Sequence, residues 1–258
     1  MSSPALTIVN ATKKFGGLVA VSDVSLEVRH GSLTALIGPN GAGKTTLFNL
    51  ITNLFRPTSG DMFFYGLSLN GLSPRRIAGL GLIRTFQTAR VFPRMTVLEN
   101  VLVGGHRHVR SPAIQQTLWL PSARREESEL RARADAFLDL TGLLRFRDDT
   151  ATDLPMGSQK LLEVIRALMA RPKLLLLDEP AAGLNDSETA ELASLLRAVR
   201  SSGVTVMLVE HNMSLVMGVA DEVMVLDAGS LVASGAPREI QRNARVIAAY
   251  IGQDEGQT

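Results

Sequence analysis

Cysteine is absent from this sequence, aromatic residues are few, and charges of the two signs nearly balance. Without cysteine the chain can form no disulfide, no cysteine-ligated zinc site and no thiol nucleophile. Aromatic residues make up 5% of the chain. The net charge of +2 over 258 residues gives no indication of a nucleic-acid partner, so we predict none.

Long apolar runs are missing as well. No stretch approaches the ~18 consecutive apolar residues of a membrane-spanning helix. Residues 1–5 have neither the basic flank nor the apolar core of a signal peptide. We therefore expect a chain without a membrane span. If the chain works at a membrane, something else must anchor it.

The strongest motif that is present is a glycine-rich loop, GPNGAGKTT, which starts at Gly38. It fits the spacing G-x-x-x-x-G-K-[ST] of a phosphate-binding loop. The apolar run Leu33–Ile37 before it predicts a buried strand, and Thr45–Ile51 after it predicts a helix. Glycines let successive N–H groups face one phosphate, and the helix N-terminus adds partial positive charge. This context favours nucleotide binding over a chance match.

We therefore predict that the whole loop binds a nucleotide. Lys44 would contact the β- and γ-phosphates, and the Thr45 hydroxyl would bind Mg²⁺. The predicted loop residues are Gly38, Pro39, Asn40, Gly41, Ala42, Gly43, Lys44, Thr45 and Thr46.

Two further apolar runs end in polar residues. Leu174–Leu177 predicts a strand buried on both faces, followed by Asp178 and Glu179. Val204–Val209 predicts another such strand, which leads to His211. Ligands of parallel sheets bind at the carboxyl ends of the strands. We predict that Asp178 holds Mg²⁺, that Glu179 polarises the attacking water, and that His211 contacts the γ-phosphate.

The N-terminal part of the chain alternates between apolar and polar residues. Leu6–Asn10 and Ala20–Val28 predict antiparallel strands joined by a turn at Phe15–Gly17. Phe15 would either stack on a nucleotide base or be a core aromatic residue beside the turn. Asn53 is predicted to end the helix after the loop, because asparagine tolerates the left-handed conformation.

The middle of the chain predicts helices and no strands. Thr96 and Glu99 have the spacing of a capping box. A helix at about 122–140 is predicted to carry two ion pairs at i,i+4 spacing. These predicted pairs are Glu127–Arg131 and Glu129–Arg133.

Three elements complete the prediction. A strand is expected from Gly81 to Gln87, a hairpin over 223–233, and a single last helix over 237–251. The predicted fold class is therefore α/β, with an antiparallel β subdomain and an inserted α-helical subdomain.

The order of these motifs resembles that of the ATP-binding subunits of ABC transporters, and the resemblance covers nearly the whole chain. It rests on the phosphate loop, Gln87, the helical insertion, Leu154–Ser158, Leu174–Glu179, Ala182–Asn185 and His211. The sequence is most similar to the subunit that serves high-affinity branched-chain amino acid importers. That similarity rests on Phe15–Gly17, Arg84–Gln87, Phe92, Thr96–Asn100, Ala181–Leu184, Glu210–His211 and Ala249–Gly252.

The resemblance implies one ABC-type P-loop NTPase domain over 6–252. Its RecA-like core would comprise about 6–90 and 160–235, the helical subdomain about 91–159, and the C-terminal helix 237–251. The implied activity is hydrolysis of ATP coupled to transport, with Mg²⁺.

Roles for individual residues follow from the same resemblance. Phe15 corresponds to the aromatic residue that stacks on adenine, Glu179 to the catalytic base, and His211 to the switch histidine. Gln87 corresponds to the glutamine that contacts Mg²⁺ and the attacking water. The implied catalytic set is Glu179, His211, Gln87 and Lys44, and the implied metal ligands are Thr45, Gln87 and Asp178.

Two segments align with the parts of the family that act across a dimer. The signature segment, which contacts ATP bound by the opposite subunit, is Leu154, Pro155, Met156, Gly157 and Ser158. The dimer loop is Gly183, Leu184 and Asn185. The implied partners are a second ABC ATPase, identical or different, transmembrane permease subunits and, indirectly, a periplasmic substrate-binding protein. The implied location is peripheral, at the cytoplasmic face of the bacterial inner membrane.

The sequence departs from the family pattern at three of these positions. Pro155 replaces a serine, Ser158 replaces a glutamine, and Asn185 replaces an aspartate. We expect these changes to affect the rate and the affinity of the dimer rather than the class of protein. Import of urea, amides or other amino acids, and export of lipopolysaccharide, remain open. A non-transport ABC ATPase is the distant alternative.

Overall fold

The computed structural model describes residues 3–85, 91–108 and 120–251, which form two compact units. The first unit comprises Met1–Arg84, Lys173–Pro180 and Leu196–Thr258, and the second comprises Thr85–Pro172 and Ala181–Leu195. The sequence predicted the helical subdomain at about 91–159. The second unit therefore extends beyond that range at both ends and adds a separate segment.

Strands and helices are interspersed along the described residues. The strands are β1 (Pro4–Phe15), β2 (Leu18–Arg29), β3 (Leu33–Ile37), β4 (Ser59–Phe64), β5 (Leu67–Ser68), β6 (Leu82–Arg84), β7 (Leu174–Asp178), β8 (Thr205–Val209), β9 (Glu222–Asp227) and β10 (Ser230–Gly235). The helices are α1 (Lys44–Ile51), α2 (Pro74–Leu80), α3 (Val97–Gly105), α4 (Pro121–Leu140), α5 (Met156–Met169), α6 (Asp186–Ser201), α7 (Met213–Val219), α8 (Pro237–Ile240) and α9 (Ala244–Ile251). No helix in the described ranges is both long enough and apolar enough to cross a membrane.

The first unit contains two sheets. The larger sheet has the order β10-β9-β3-β8-β7-β6, and it is parallel except for the β9–β10 hairpin. Every residue of β3, β7 and β8 is buried, as a parallel sheet covered on both faces requires. The smaller sheet is antiparallel, with the order β2-β1-β4-β5. Both sheets confirm the predicted arrangement of strands.

Helix α1 packs against apolar side chains from both sheets. Leu47, Phe48, Leu50 and Ile51 are fully buried and belong to one apolar cluster with side chains of both sheets. Burying a side chain of this size contributes about 1.5–3 kcal/mol, so the helix after the phosphate loop is firmly anchored. It ends as predicted, because Asn53 has a φ of 52°. The Asn53 amide also donates to two backbone carbonyls, those of Leu69 and Leu72.

The second unit is helical over its described residues, apart from a single β-bridge between Thr96 and Thr150. The predicted capping box of α3 is confirmed: Thr96 N donates to Glu99 Oε2 at 2.8 Å, and Glu99 N donates to Thr96 Oγ1 at 3.2 Å. Helix α4 also occupies its predicted range.

One of the two predicted ion pairs on α4 is wrong. Glu127 does pair with Arg131 at 2.8 Å, but Glu129 pairs with Arg125 at 3.0 Å. Arg133 instead donates to the carbonyl of Leu168 at 3.4 Å. Arg133 is therefore partly buried rather than on the solvated face of the helix with Glu129. This burial lowers the pKa of its guanidinium by desolvation.

Two predicted elements end differently from the expectation. Strand β6 ends at Arg84, so the prediction that it reaches Gln87 is wrong, and Gln87 itself lies outside the described residues. The predicted single C-terminal helix is two helices, α8 and α9. Between them, Asn243 Oδ1 accepts a hydrogen bond from Arg245 N at 3.0 Å. An asparagine side chain that binds the backbone in this way competes with continuation of the helix, so α8 and α9 are separate.

Helices α3 and α5 of the second unit touch at Gly104, and this contact provides a test of the packing. A Cβ atom added at Gly104 would overlap the backbone carbonyl of Arg166, which cannot move without moving α5. We expect Gly104→Ala to lower the free energy of unfolding by about 1–3 kcal/mol, the usual cost of overpacking. Denaturant-induced unfolding of the whole chain would measure it.

The matched control is Gly218→Ala in α7, where a Cβ meets nothing within 4 Å. Since alanine favours a helix over glycine by about 1 kcal/mol, this change should be neutral or stabilising. Equal effects of the two substitutions would contradict the close packing of α3 on α5.

Candidate nucleotide-binding site

The phosphate loop joins β3 to α1, and two of its glycines are in tight contact with other strands. Gly38 has a φ of 148° and Gly43 a φ of 98°. A Cβ at Gly38 would overlap the carbonyl oxygen of Leu226, and one at Gly43 would overlap that of Ala20. Glycine is therefore required at both positions by conformation and by space, and the loop is fixed by its neighbours.

Lys44 opens helix α1 and is turned back onto the loop. Its Nζ donates to the carbonyls of Gly38 at 2.7 Å and Pro39 at 2.8 Å. The residue is only 6% exposed, and this burial lowers the pKa of its ammonium group, whereas the negative charges of Glu179 and Asp178 act in the opposite direction. An ammonium group has three N–H donors, so these two bonds leave one donor for a ligand.

A cleft of about 340 Å³ opens over the loop in the first unit. Its lining residues are Phe15, Leu18, Val19, Ala20, Asn40, Gly41, Ala42, Gly43, Lys44, Thr45, Thr46, Glu179 and His211. The structure thus brings together most of the predicted nucleotide-binding and catalytic residues, which come from four distant parts of the sequence. Leu18, Val19 and Ala20 were missed, although their position directly after the Phe15 turn places them on the same hairpin.

Phe15 lies at the edge of this cleft and is 41% exposed. That exposure excludes the alternative in which it is a core aromatic residue. Its ring is held edge-to-face by Phe55, with centroids 5.3 Å apart, and Lys13 Nζ lies 4.9 Å from the ring centroid. The side chain is therefore both oriented and available for stacking.

The polar residues after β7 and β8 lie side by side, because Asp178 and Val209 are paired in the parallel ladder. Glu179 Oε1 is 2.9 Å from His211 Nε2. Glu179 has a φ of 49°, a strained conformation for a residue with a side chain, and its N–H is bonded to Val209 O at 2.9 Å. The adjacent turn is held by the buried Glu210, whose Oε2 accepts from His211 N at 2.9 Å.

Asp178 is the last residue of β7 and is 3% exposed. Its Oδ2 forms an ion pair with Arg84 at 2.7 Å. Its Oδ1 is buried without a hydrogen-bond partner among the described residues. Thr45, at the start of α1, is exposed and lines the cleft. A carboxylate oxygen and a hydroxyl are the ligand types that suit Mg²⁺ held together with nucleotide phosphates.

The signature segment and the dimer loop both belong to the second unit. Leu154 is buried, Pro155 takes the N-cap position of α5 without a side-chain cap, and Met156 is 59% exposed. Gln159, next to Ser158, donates to Leu154 O at 2.8 Å. This bond ties the start of the signature segment to helix α5.

Glu188 joins the dimer loop to the signature helix. Its Oε2 accepts from Asn185 N at 2.9 Å, and Asn185 Oδ1 accepts from Glu188 N at 2.9 Å. A Cβ at Gly157 would overlap the Glu188 carboxylate. Asn185 therefore caps α6 in place of the usual aspartate. Gly183 has a φ of 78°, and Leu184 N donates to Ala181 O at 3.1 Å.

Comparison with known proteins identifies the class to which this fold and cleft belong. The profile of the ABC transporter family matches residues 21–182, and the chain belongs to this family. The predicted fold class and the prediction of an ATP-binding and ATP-hydrolysing ABC cassette are thereby confirmed.

Individual relatives narrow the comparison. The profile of branched-chain amino acid ATP-binding cassette transporters matches residues 230–256. The high-affinity branched-chain amino acid transport ATP-binding protein LivG of Salmonella typhimurium is 44% identical over 254 residues, which cover 98% of this chain and 100% of LivG.

Solved structures of ABC cassettes have the same fold. The ADP conformation of the cassette MJ1267 has a TM-score of 0.84 and 30% identity, and the match covers 97% of this chain and 100% of that one. A cassette bound to ADP and Pi, described as a dimeric post-hydrolysis state, has a TM-score of 0.76 and 25% identity, with 90% and 99% covered.

The contact between Gly157 and Glu188 can be tested by a double-mutant cycle. Gly157→Ala should displace the Glu188 carboxylate from Asn185 N and lower the free energy of unfolding by about 0.5–2 kcal/mol, the value of a helix cap. In a Glu188→Ala background that bond is already lost. Since alanine favours a helix over glycine by about 1 kcal/mol, Gly157→Ala should then be neutral or stabilising when both pairs are compared by denaturant unfolding. Strictly additive effects would mean that the two residues do not interact.

Proposed function

We propose that this chain is the ATP-hydrolysing subunit of an importer for branched-chain amino acids. The observation that carries the proposal is the match to LivG over 98% of this chain and the whole of that protein. It is supported by the C-terminal residues 230–256, which match the profile of branched-chain amino acid cassettes. The phosphate loop and the side chains of Glu179 and His211, which line the same cleft, are groups that could bind and hydrolyse ATP.

In the proposed complex the adenine base stacks on Phe15 and the phosphates lie on the loop from Gly38 to Thr46. The backbone N–H groups of the loop and the start of α1 bind phosphate oxygens. The third N–H of Lys44 points to the β- and γ-phosphates. Since the glycines fix the loop in advance, little conformational entropy is lost when the nucleotide binds.

We assign hydrolysis to two side chains that line the cleft, Glu179 and His211. Glu179 accepts a proton from a water molecule, whose oxygen attacks the γ-phosphorus while the bond to the ADP oxygen breaks. His211 holds Glu179 through the 2.9 Å contact and contacts the γ-phosphate once the nucleotide is bound. The products are ADP and inorganic phosphate.

The proposed metal ligands are Thr45, Asp178 and Gln87. The unpartnered Oδ1 of Asp178 and the exposed Thr45 fit this role, whereas Gln87 lies outside the described residues. When bound, Mg²⁺ neutralises charge on the β- and γ-phosphates.

The signature segment Leu154–Ser158 and the loop Gly183–Asn185 are proposed to contact a second ABC ATPase, so that two ATP molecules are enclosed in a dimer. Both segments include exposed residues, among them Met156. The second subunit is either another copy of this chain or a similar ATPase.

Residues 87–103 are proposed to contact the transmembrane permease subunits, and the structure describes 91–103 of this range. Phe92, Met95 and Val103 are apolar but between 36% and 42% exposed. The fully buried Asn100 fixes this surface, since its Oδ1 accepts from Phe92 N at 2.8 Å. Such a contact would hold the chain at the cytoplasmic face of the bacterial inner membrane. A periplasmic binding protein would deliver the substrate to the permease from the opposite side.

The assignment of the base is tested by Glu179→Gln. We expect kcat for ATP hydrolysis to fall by roughly 100-fold or more, the size of a general-base contribution, while ATP binding is kept and the closed dimer accumulates. Phosphate release and size-exclusion chromatography with ATP measure the two effects. Glu127→Gln, a surface change on α4, is the matched control and should hydrolyse at the parent rate. Hydrolysis by Glu179→Gln at that same rate would mean that the base is another group.

The cargo is tested by uptake of labelled leucine in source cells that carry either the parent chain or Glu179→Gln, with urea uptake measured in parallel. We expect leucine uptake to be lost and urea uptake to be unchanged. Loss of urea uptake alone would assign the transporter to urea, and no loss of either would contradict the branched-chain assignment.

A further inference from the structure

Arg84 is the last residue of β6, and its side chain is buried with only 8% exposed. One guanidinium nitrogen forms the 2.7 Å ion pair with Asp178 Oδ2. A second nitrogen, Nη1, donates to Asn49 Oδ1 at 2.7 Å. The guanidinium carbon also lies 5.6 Å from the ring centroid of Phe48, a distance at which a cation is attracted to the ring. Residues of β7 and of α1 thus orient this guanidinium together.

The sheet explains why Arg84 meets Asp178. Arg84 is paired with Leu176 in the parallel ladder of β6 and β7. Side chains alternate between the two faces of a strand, so Asp178, two residues after Leu176, projects to the same face as Leu176. The long arginine side chain spans the remaining distance along the strand, and the pair is fixed by the register.

The ion pair uses only one oxygen of the carboxylate. Arginine can bind a carboxylate through two parallel bonds, yet the structure shows a single bond to Oδ2. The second oxygen, Oδ1, is the one that has no hydrogen-bond partner among the described residues. Leaving a buried charged oxygen unpaired is costly, so this arrangement is best explained by an electropositive ligand of Oδ1.

The second bond of Arg84 leads to the other proposed metal ligand. Asn49 follows Thr45 by four residues on α1, and residues at this spacing lie on the same face of a helix. Arg84 therefore joins the carboxylate at the end of β7 to the helix that carries the Thr45 hydroxyl.

We propose that Arg84 is a positioning residue for the Mg²⁺ site. It holds Asp178 with Oδ1 directed to the metal and sets the distance between Asp178 and Thr45. The inference rests on the proposed metal ligands. We expect lysine to replace it poorly, because the donors of an ammonium group lack the fixed planar geometry in which Nη2 reaches Asp178 and Nη1 reaches Asn49.

The test is Arg84→Lys, with Arg29→Lys as the matched control. Arg29 also pairs with a carboxylate, that of Glu222 at 3.1 Å, but its side chain is 63% exposed. Calorimetry measures ATP binding in Mg²⁺ and in EDTA, and thermal unfolding without nucleotide or metal measures the fold.

For Arg84→Lys we expect metal-free ATP binding close to that of the parent chain. The Mg²⁺ concentration that half-saturates the gain in ATP affinity should rise by about 10-fold or more, the usual effect of losing a residue that orients a metal ligand. The control should match the parent chain in both. A lower thermal midpoint with an unchanged Mg²⁺ requirement would show that Arg84 serves the fold alone and would overturn the inference.

Two further variants keep the outcome decisive. If Arg84→Lys does not fold, Asn49→Leu removes only the bond to α1 and should raise the Mg²⁺ requirement to a smaller extent, whereas no change would overturn the inference. Asp178→Asn separates this inference from the proposed ligand set. If Asp178→Asn leaves the Mg²⁺ requirement unchanged, the ligand set itself is wrong; if it raises that requirement and Arg84→Lys does not, only the role of Arg84 is wrong.

Discussion

The close backbone contacts of the phosphate loop are the constraint on which the nucleotide site depends. Gly38 lies against the carbonyl of Leu226 and Gly43 against that of Ala20, with no space for a side chain at either position. Gly229 N also donates to Ala42 O at 3.1 Å, and Ser22 N donates to Gly229 O at 2.8 Å. The loop is therefore built into the backbone of β2 and the β9–β10 turn. Its N–H groups keep their directions because both sheets would have to move to change them.

Local signals predicted most of the secondary structure, and they failed where a choice depended on tertiary contacts. The fully apolar strands and the Thr96 capping box could be predicted because each is specified by residues within one short stretch of the sequence. Glu129 has an arginine four residues away on each side, and spacing alone cannot decide between them. Glu129 pairs with Arg125 because Arg133 is partly buried. That burial depends on how α4 packs on α5.

The same distinction applies to the candidate site. Strand ends revealed Asp178, Glu179 and His211, since a parallel sheet gathers the residues at its carboxyl edge. The contacts of Arg84 could not be inferred in this way, although the residue was part of the family resemblance. It is separated from Asp178 by 94 positions in the sequence, and only the register of β6 on β7 brings the two together. Glu188 was missed although it follows Asn185 at the three-residue spacing of a capping box. Only its contact with Gly157 required the tertiary structure.

The departures in the signature segment and dimer loop are compensated by contacts within the second unit. Pro155 provides no side-chain oxygen to cap α5, so the first N–H groups of that helix keep the capacity to bind an anion. Gln159 binds back to Leu154 O, which supports the turn that a capping serine would otherwise stabilise. Asn185 keeps the reciprocal bonds with Glu188 because its Oδ1 accepts as a carboxylate oxygen would. The backbone of both segments is thus maintained by the side-chain amides of Gln159 and Asn185 and by the Glu188 carboxylate. The chemical losses are the serine hydroxyl at position 155, the glutamine amide at position 158 and one negative charge at position 185.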